Sequence, residues 1–349
     1  MAGRFGYEIA DYKFVPEEFL PATVCDKIVD ARVSDPGLIK RIARARKRRP
    51  ALTRDGKLTI LSVDHPARMV TRVGDNPLAM GDRYELLARV SRVLTDSRFD
   101  GFMATADVVE ELLILDYMVQ RAGGPSFLGE KVILGCMNRG GLAGVSFEMD
   151  DTMTGYTARA INDMGLDGAK LMFRLEPGSC ESGKTIMYCV NAINELVDLG
   201  IPVFLETLAV KYEDGKYKTL KEAEALVKVV GVGTGLGGTT ALTWLKIPYC
   251  AGYEKVARAT TCPILMLGGE STGDPTGILD EFATGMRAGA TVRGALVGRN
   301  VSFPGSDDPR AVAVAVGEIV HGGADAERAT RVLMETRGQA MDDITRYLR

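Results

Sequence analysis

Two lysines and a glutamate interrupt runs that are otherwise apolar and strand-like. Lys170 lies in Gly168-Ala169-Lys170-Leu171-Met172-Phe173, Glu206 closes Pro202-Val203-Phe204-Leu205-Glu206, and Lys246 lies in Leu242-Thr243-Trp244-Leu245-Lys246-Ile247-Pro248. Burying an ammonium or a carboxylate is costly unless it is paired, so their presence in such strands needs a reason. Amine chemistry supplies one. Desolvation and a neighbouring positive charge lower a lysine pKa and free the lone pair to attack a carbonyl carbon, giving a Schiff base. Asp64, directly after the run 58–63, adds a second carboxylate. A structural ring of salt bridges inside a barrel is the competing use for any one of these residues; four together favour a working site.

The elements that must position them follow from periodicity. Eight short β-rich runs, at 58–63, 101–104, 131–136, 169–173, 202–206, 243–247, 263–267 and 293–297, alternate with helical stretches at 83–94, 108–121, 152–164, 186–199, 220–230 and 278–288. Repeated βα units predict a parallel sheet, and eight of them predict a closed (β/α)8 TIM barrel, whose reactive groups gather at the C-terminal ends of the strands. Asp64, Lys170, Glu206 and Lys246 then face one pocket. The chain is expected to be a single domain over 1–349, with an N-terminal extension at 1–56, the barrel at 57–320 and a C-terminal helical extension at 321–349. The basic run at 38–49 is expected to be a solvated helix across the barrel bottom or in a subunit contact, rather than a phosphate or nucleic-acid site.

Glycines mark the far side of the pocket. Leu267-Gly268-Gly269-Glu270-Ser271 follows the seventh run and Val297-Gly298-Arg299-Asn300 the eighth. Gly268, Gly269 and Gly298 allow backbone N–H groups to approach an anion, the loops after strands seven and eight are a recurring phosphate site, and Arg299 can add a bidentate contact. A phosphorylated substrate is expected, with plain tight turns as the alternative for either loop alone. His65, Ser271 and Arg174 are placed to touch that substrate, although an outer-loop salt bridge also suits Arg174. Asn138 and Arg139 sit at the rim, and Trp244 faces the core near the site. Gly233-Thr234-Gly235-Leu236-Gly237-Gly238 fits GxGxxG, but a dinucleotide site needs a strand before it and a helix after it. Here the order is reversed, so a mobile glycine-rich connection into the sixth strand is expected instead.

Composition bounds the rest. With 349 residues, 46% hydrophobic and 26% charged, the chain can bury a large core. A net charge of -3 argues against nucleic acid or an anionic membrane as the main partner. The absence of an apolar run of roughly 18 residues and of an apolar signal core predicts a cytoplasmic location. Six cysteines without CxxC spacing read as reduced thiols, mostly in the core. Two histidines far apart in sequence are too few for an imidazole-rich zinc site, so neither metal nor cofactor is expected.

Asp after strand one, Lys on strand four, Glu on strand five, Lys on strand six and a Gly-Arg pair after strand eight resemble the class I, Schiff-base aldolase superfamily, nearest its tagatose bisphosphate and deoxyribose-phosphate aldolase grouping. The likeness spans about residues 57 to 305 and is carried by Ser62-Val63-Asp64-His65, Phe204-Leu205-Glu206-Thr207, Leu245-Lys246-Ile247-Pro248 and Val297-Gly298-Arg299-Asn300. It implies Lys246 as the Schiff-base lysine with Asp64, Lys170 and Glu206 as polar partners, a homo-oligomer, and release of dihydroxyacetone phosphate. A ketose bisphosphate and 5-dehydro-2-deoxyphosphogluconate are the candidate substrates. Ile264-Leu265-Met266-Leu267-Gly268 lacks the strand-seven lysine usual in deoxyribose-phosphate aldolases. In the expected mechanism, Lys170 depresses the Lys246 pKa by like-charge repulsion, Glu206 shuttles protons, and Asp64 holds Lys170 or acts as base. The alternatives are a deoxyribose-phosphate aldolase or transaldolase-like enzyme with its Schiff base on Lys170, and a sugar-phosphate-binding barrel without catalysis.

Overall fold

The computed structural model describes residues 3–138 and 142–349. Nine strands occur in chain order: β1 Leu58–Ser62, β2 Gly101–Ala104, β3 Val132–Cys136, β4 Gly168–Leu175, β5 Val203–Glu213, β6 Lys216–Thr219, β7 Thr243–Pro248, β8 Ile264–Leu267 and β9 Val292–Val297. All but β6 pair in parallel, β1 with β2 and so on around to β9, which returns to β1, while β4 and β5 close the remaining seam. The result is the expected (β/α)8 TIM barrel.

Residues alternate across the barrel wall because successive side chains on a strand point to opposite faces. Leu58, Ile60, Met103, Val132, Leu134, Cys136, Phe204, Leu265 and Leu296 form one buried apolar cluster in which Phe204 stacks on Trp244. Glu206 follows Phe204 on the same face of β5, and Lys246 follows Trp244 on the same face of β7. The other face joins the large core shared with the surrounding helices. Local signals fix those helices. Asp82, Asp308 and Asp325 cap Arg83–Leu94, Pro309–Val320 and Ala326–Thr336 by accepting from backbone N–H groups of the first turn.

Four expectations change in detail. The helix placed at 152–164 is confined to Ala158–Met164, where Thr157 caps it. The fifth run does not stop at Glu206: β5 continues to Glu213 and folds back through Asp214 and Gly215 into β6 as an antiparallel hairpin. The segment beginning at Gly233 is no loose connection at its start, because the helix Ala223–Thr234 runs through it. A Cβ at Gly233 would stand 2.3 Å from Thr207 Cγ2, so the glycine lets this helix lie against β5.

The basic run does cross the barrel bottom, but it is not simply solvated. Its helix spans Leu38–Ala45, after which Arg46 and Arg48 both pair with Asp167, at 2.7 and 2.9 Å, and Arg49 pairs with Asp100 at 3.0 Å. These aspartates immediately precede β4 and β2, so the arginines tie the N-terminal extension to the strand entrances. Cys136, Cys189, Cys250 and Cys262 are buried, Cys25 is half-buried and Cys180 exposed. Among the described residues, no helix is long and apolar enough to cross a membrane.

Candidate active site

At the C-terminal mouth of the barrel, strand register brings together side chains that are far apart in sequence. Glu206 and Lys246 are direct neighbours in the β5–β7 pairing. Lys246 Nζ lies 3.0 Å from Glu206 Oε1, and Lys170 Nζ lies 3.0 Å from Glu206 Oε2. Lys170 also donates to Asp64 Oδ2 at 3.1 Å. Ser62 Oγ donates to Asp64 Oδ1 at 3.0 Å, and Arg68 Nε stands 3.5 Å from Asp64 Oδ2. The charges therefore alternate in one line: Lys246, Glu206, Lys170, Asp64, Arg68. All four residues expected to be catalytic fall within it.

The line explains why its two lysines differ. Two carboxylates and the cations Lys170 and Arg68 cancel, so a protonated Lys246 is the charge left over. Burial pulls the Lys246 pKa below its ordinary value, Glu206 opposes that pull, and the nearby Lys170 adds to it. The direction is the expected one, but desolvation, not like-charge repulsion, is its first cause. Lys170 moves the other way. Burial would lower it, yet Asp64 and Glu206 together raise its pKa well above the ordinary value. Glu206 is itself opposed by burial, but Lys170 and Lys246 bring it down to about 2, so it is ionised. Asp64 behaves alike: Lys170 and Arg68 overcome its burial and hold it well below the usual carboxylate range.

Lys246 and Glu206 border an open cavity of about 200 Å³ that is also lined by His65, Arg68, Lys221, Gly268, Gly269, Gly298 and Arg299. The four residues expected to bind phosphate thus share a cavity with the proposed nucleophile. Arg299 Nη1 lies 3.1 Å from Glu270 Oε1 and donates to Arg72 O. His65 is buried, and desolvation followed by repulsion from Arg68 drops its pKa to about 3, so it stays neutral. It fits there because Gly298 has no side chain: a Cβ would come 2.9 Å from His65 Cε1.

Other candidates lie elsewhere. Arg174 Nη2 pairs with Glu148 at 3.1 Å, the salt-bridge alternative, and is not among the cavity's lining residues. Ser271 donates to Phe303 O at 2.6 Å and borders a neighbouring cavity with Thr272, Asp274 and Asn300. Asn138 acts as an extra rung between strands, with its Oδ1 accepting from Met172 N and its Nδ2 donating to Met172 O. Arg139 lies outside the described residues.

Sequence reasoning missed Arg68 and Lys221. Arg68 carried a usable signal: it stands four residues after Asp64, and Pro66 opens the short 3-10 turn Pro66–Arg68 that folds it back. Lys221 had none, because it reaches the cavity only through the unforeseen hairpin.

Residues 56–318 match the family described as Cgl0159-like. The crystal structure of Cgl0159 from Corynebacterium glutamicum (Brevibacterium flavum) aligns with a TM-score of 0.81 and 32% identity, covering 87% of this chain and 99% of that one. An archaeal fructose 1,6-bisphosphate aldolase aligns with a TM-score of 0.54 and 20% identity over 82% of this chain and 100% of its own, a likeness of fold. A 142-residue stretch, 40% of this chain, is 31% identical to the uncharacterized aldolase SSO3226 of Saccharolobus solfataricus and spans 48% of it, about half that relative's length. With its match running from just before β1 almost to the end of the helix Pro309–Val320, the chain belongs to the Cgl0159-like family.

Proposed function

We propose that this chain is a class I aldolase that cleaves or forms a carbon–carbon bond in a phosphorylated ketose or keto-sugar acid through a Schiff base on Lys246. The observation that carries this reading is the contrast between the lysines. Lys246 lines the cavity with a lowered pKa, whereas Lys170 is fully buried behind it and held protonated by two carboxylates. A nucleophile needs its lone pair and a route to the substrate. Of the two, Lys246 has the route and the shift toward the neutral form, which disfavours the Schiff base on Lys170.

In this mechanism the neutral Lys246 amine attacks the ketone carbon, and the π pair moves to oxygen. The alkoxide takes one proton from solvent water, and ionised Glu206, 3.0 Å from Nζ, takes the proton that the new C–N bond makes acidic and returns it to the resulting hydroxyl as that group departs. Water leaves and an iminium remains. The iminium then accepts the electron pair of the breaking carbon–carbon bond and becomes an enamine, while the adjacent hydroxyl gives its proton to Glu206, ionised again, and becomes the aldehyde carbonyl. Asp64, committed to Lys170 and Ser62 and strongly acidic, keeps Lys170 charged rather than acting as base. Gly268, Gly269, Gly298 and Arg299 hold the phosphate. The same fold is found in an archaeal fructose-1,6-bisphosphate aldolase whose catalytic lysine is covalently bound to the carbinolamine intermediate, at a TM-score of 0.52 and 20% identity.

Within this reading, membership of the tagatose bisphosphate and deoxyribose-phosphate grouping and release of dihydroxyacetone phosphate are the finer proposals. Incubation with dihydroxyacetone phosphate and sodium borohydride, followed by peptide mapping, tests the core of it. A reduced adduct is expected on Lys246 and none in Lys246→Met. An adduct on Lys170 overturns the assignment, and a protein that binds sugar phosphates but is never trapped is a binding barrel.

A further inference from the structure

Arg68 enters the line of charges sideways. Its Nε edge faces Asp64 Oδ2 at 3.5 Å, too far and too poorly aligned for a hydrogen bond. The Nη end of the guanidinium has no hydrogen-bond acceptor among the described residues, while Arg68 borders the same cavity as Lys246. A guanidinium at the cavity whose two Nη groups are unclaimed among the described residues has the geometry to take two oxygens of one oxyanion in parallel.

The backbone holds this arginine in place. Pro66 starts its turn, its N–H donates to His65 O at 3.0 Å, and its carbonyl accepts from Ala143 N at 2.9 Å. Met69, directly after it, sits at φ 63, a left-handed conformation unusual for a residue with a side chain. Here Met69 closes the turn as its C-cap, with its N–H donating to Pro66 O. Arg299, by contrast, belongs to the glycine loops and is paired with Glu270. The cavity thus has two separate guanidinium groups, one at the Asp64 end of the charge line and one at the glycine loops.

We propose that Arg68 is a second oxyanion-binding residue of this cavity, so that the substrate carries a phosphate at the glycine loops and another oxyanion, carboxylate or phosphate, that docks on the Nη fork of Arg68. This rests on the aldolase reading for what lies between the two anions, but not for the binding itself. Charge-assisted hydrogen bonds of this kind correspond to roughly tenfold or more in affinity.

Calorimetric binding to the full-length protein tests it, with fructose 1-phosphate as the singly phosphorylated ligand, fructose 1,6-bisphosphate as the phosphate arm and 5-dehydro-2-deoxyphosphogluconate as the carboxylate arm. At least one doubly anionic ligand is expected to bind about tenfold or more tightly than fructose 1-phosphate. Arg68→Met is expected to cut that preference to within about threefold, and Arg68→Lys to restore part of it by charge without the fork. The arm that loses more in Arg68→Met identifies the second anion. Equal affinity for all three ligands in the unmodified protein overturns the proposal, as does an unchanged preference in Arg68→Met. Should Arg68→Met fail to fold, the unmodified protein and Arg68→Lys decide between the same outcomes. Failure of borohydride trapping at Lys246 would sink the aldolase reading and leave these affinity ratios untouched.

Discussion

Glu206 is the residue on which both lysines depend, and its two oxygens divide the work. One faces Lys246 in the cavity and the other faces buried Lys170. The neutral Lys246 amine is the reactive form, so the acid limb of kcat/KM is expected to rise with pH through the lowered Lys246 pKa, below the ordinary lysine value of 10.5. Glu206 opposes that lowering, so in Glu206→Gln the limb is expected to move to still lower pH. The maximal rate of that variant should fall by roughly 10²- to 10⁴-fold, because the proton relay is gone. A pH–rate series of both proteins checks the two effects separately. A limb displaced upward in Glu206→Gln would show that another group governs it.

At the scale of elements, the contact of the helix Ala223–Thr234 with β5 is a sensitive joint. Gly233→Ala adds a methyl 2.3 Å from Thr207 Cγ2, and Thr207 is fully buried next to Glu206. Alanine favours a helix over glycine by up to about 1 kcal/mol, but overpacking a buried contact costs about 1–3 kcal/mol. Net destabilisation is expected in urea titrations, with a fall in kcat as the strand bearing Glu206 shifts. The same joint shows what sequence can and cannot display. Each barrel strand was legible because its apolar run is short and bounded by glycine, proline or polar residues. Asp64, Lys170, Glu206 and Lys246 were legible because charge in such runs is conspicuous. The β5–β6 hairpin was not: Lys211, Tyr212, Glu213, Lys216, Tyr217 and Lys218 read as a polar connection, and only antiparallel pairing between them makes strands. Lys221 was lost with it. Gly233 looked like loop because glycine commonly ends helices, whereas here it answers a close approach from another element.

For the molecule as a whole, stability is expected to depend on pH through the barrel bottom. His321 lies between Asp55 and Asp100, with Nδ1 2.9 Å from one and Nε2 3.0 Å from the other. Burial would lower its pKa, but the two aspartates, Asp100 and then Asp55, raise it. A raised pKa means that the protonated form favours the fold: its contribution is complete below the ordinary histidine value and is lost as pH rises through the raised one. Urea unfolding between about pH 6 and 9 should show stability falling more in the parent than in His321→Asn. A second whole-molecule tie is Arg92, fully buried, which donates from Nε and Nη2 to Asp308 at 3.0 and 2.7 Å and from Nη1 to Ala340 O at 2.8 Å. Arg92→Ala would leave Asp308 uncompensated, and a loss of about 3–5 kcal/mol is expected in the same titrations.

Asp307, next to that pair, accepts from Tyr7 and from Arg337, and Lys27 donates to Leu348 O. The segment around Tyr7 and Lys27 therefore rests on residues made some three hundred positions later. At ribosomal speeds of about 5–20 residues per second, those partners arrive roughly 15–60 s later, a window in which a nascent-chain chaperone would find Phe14, whose backbone N–H donates to Ser306 O, not yet seated.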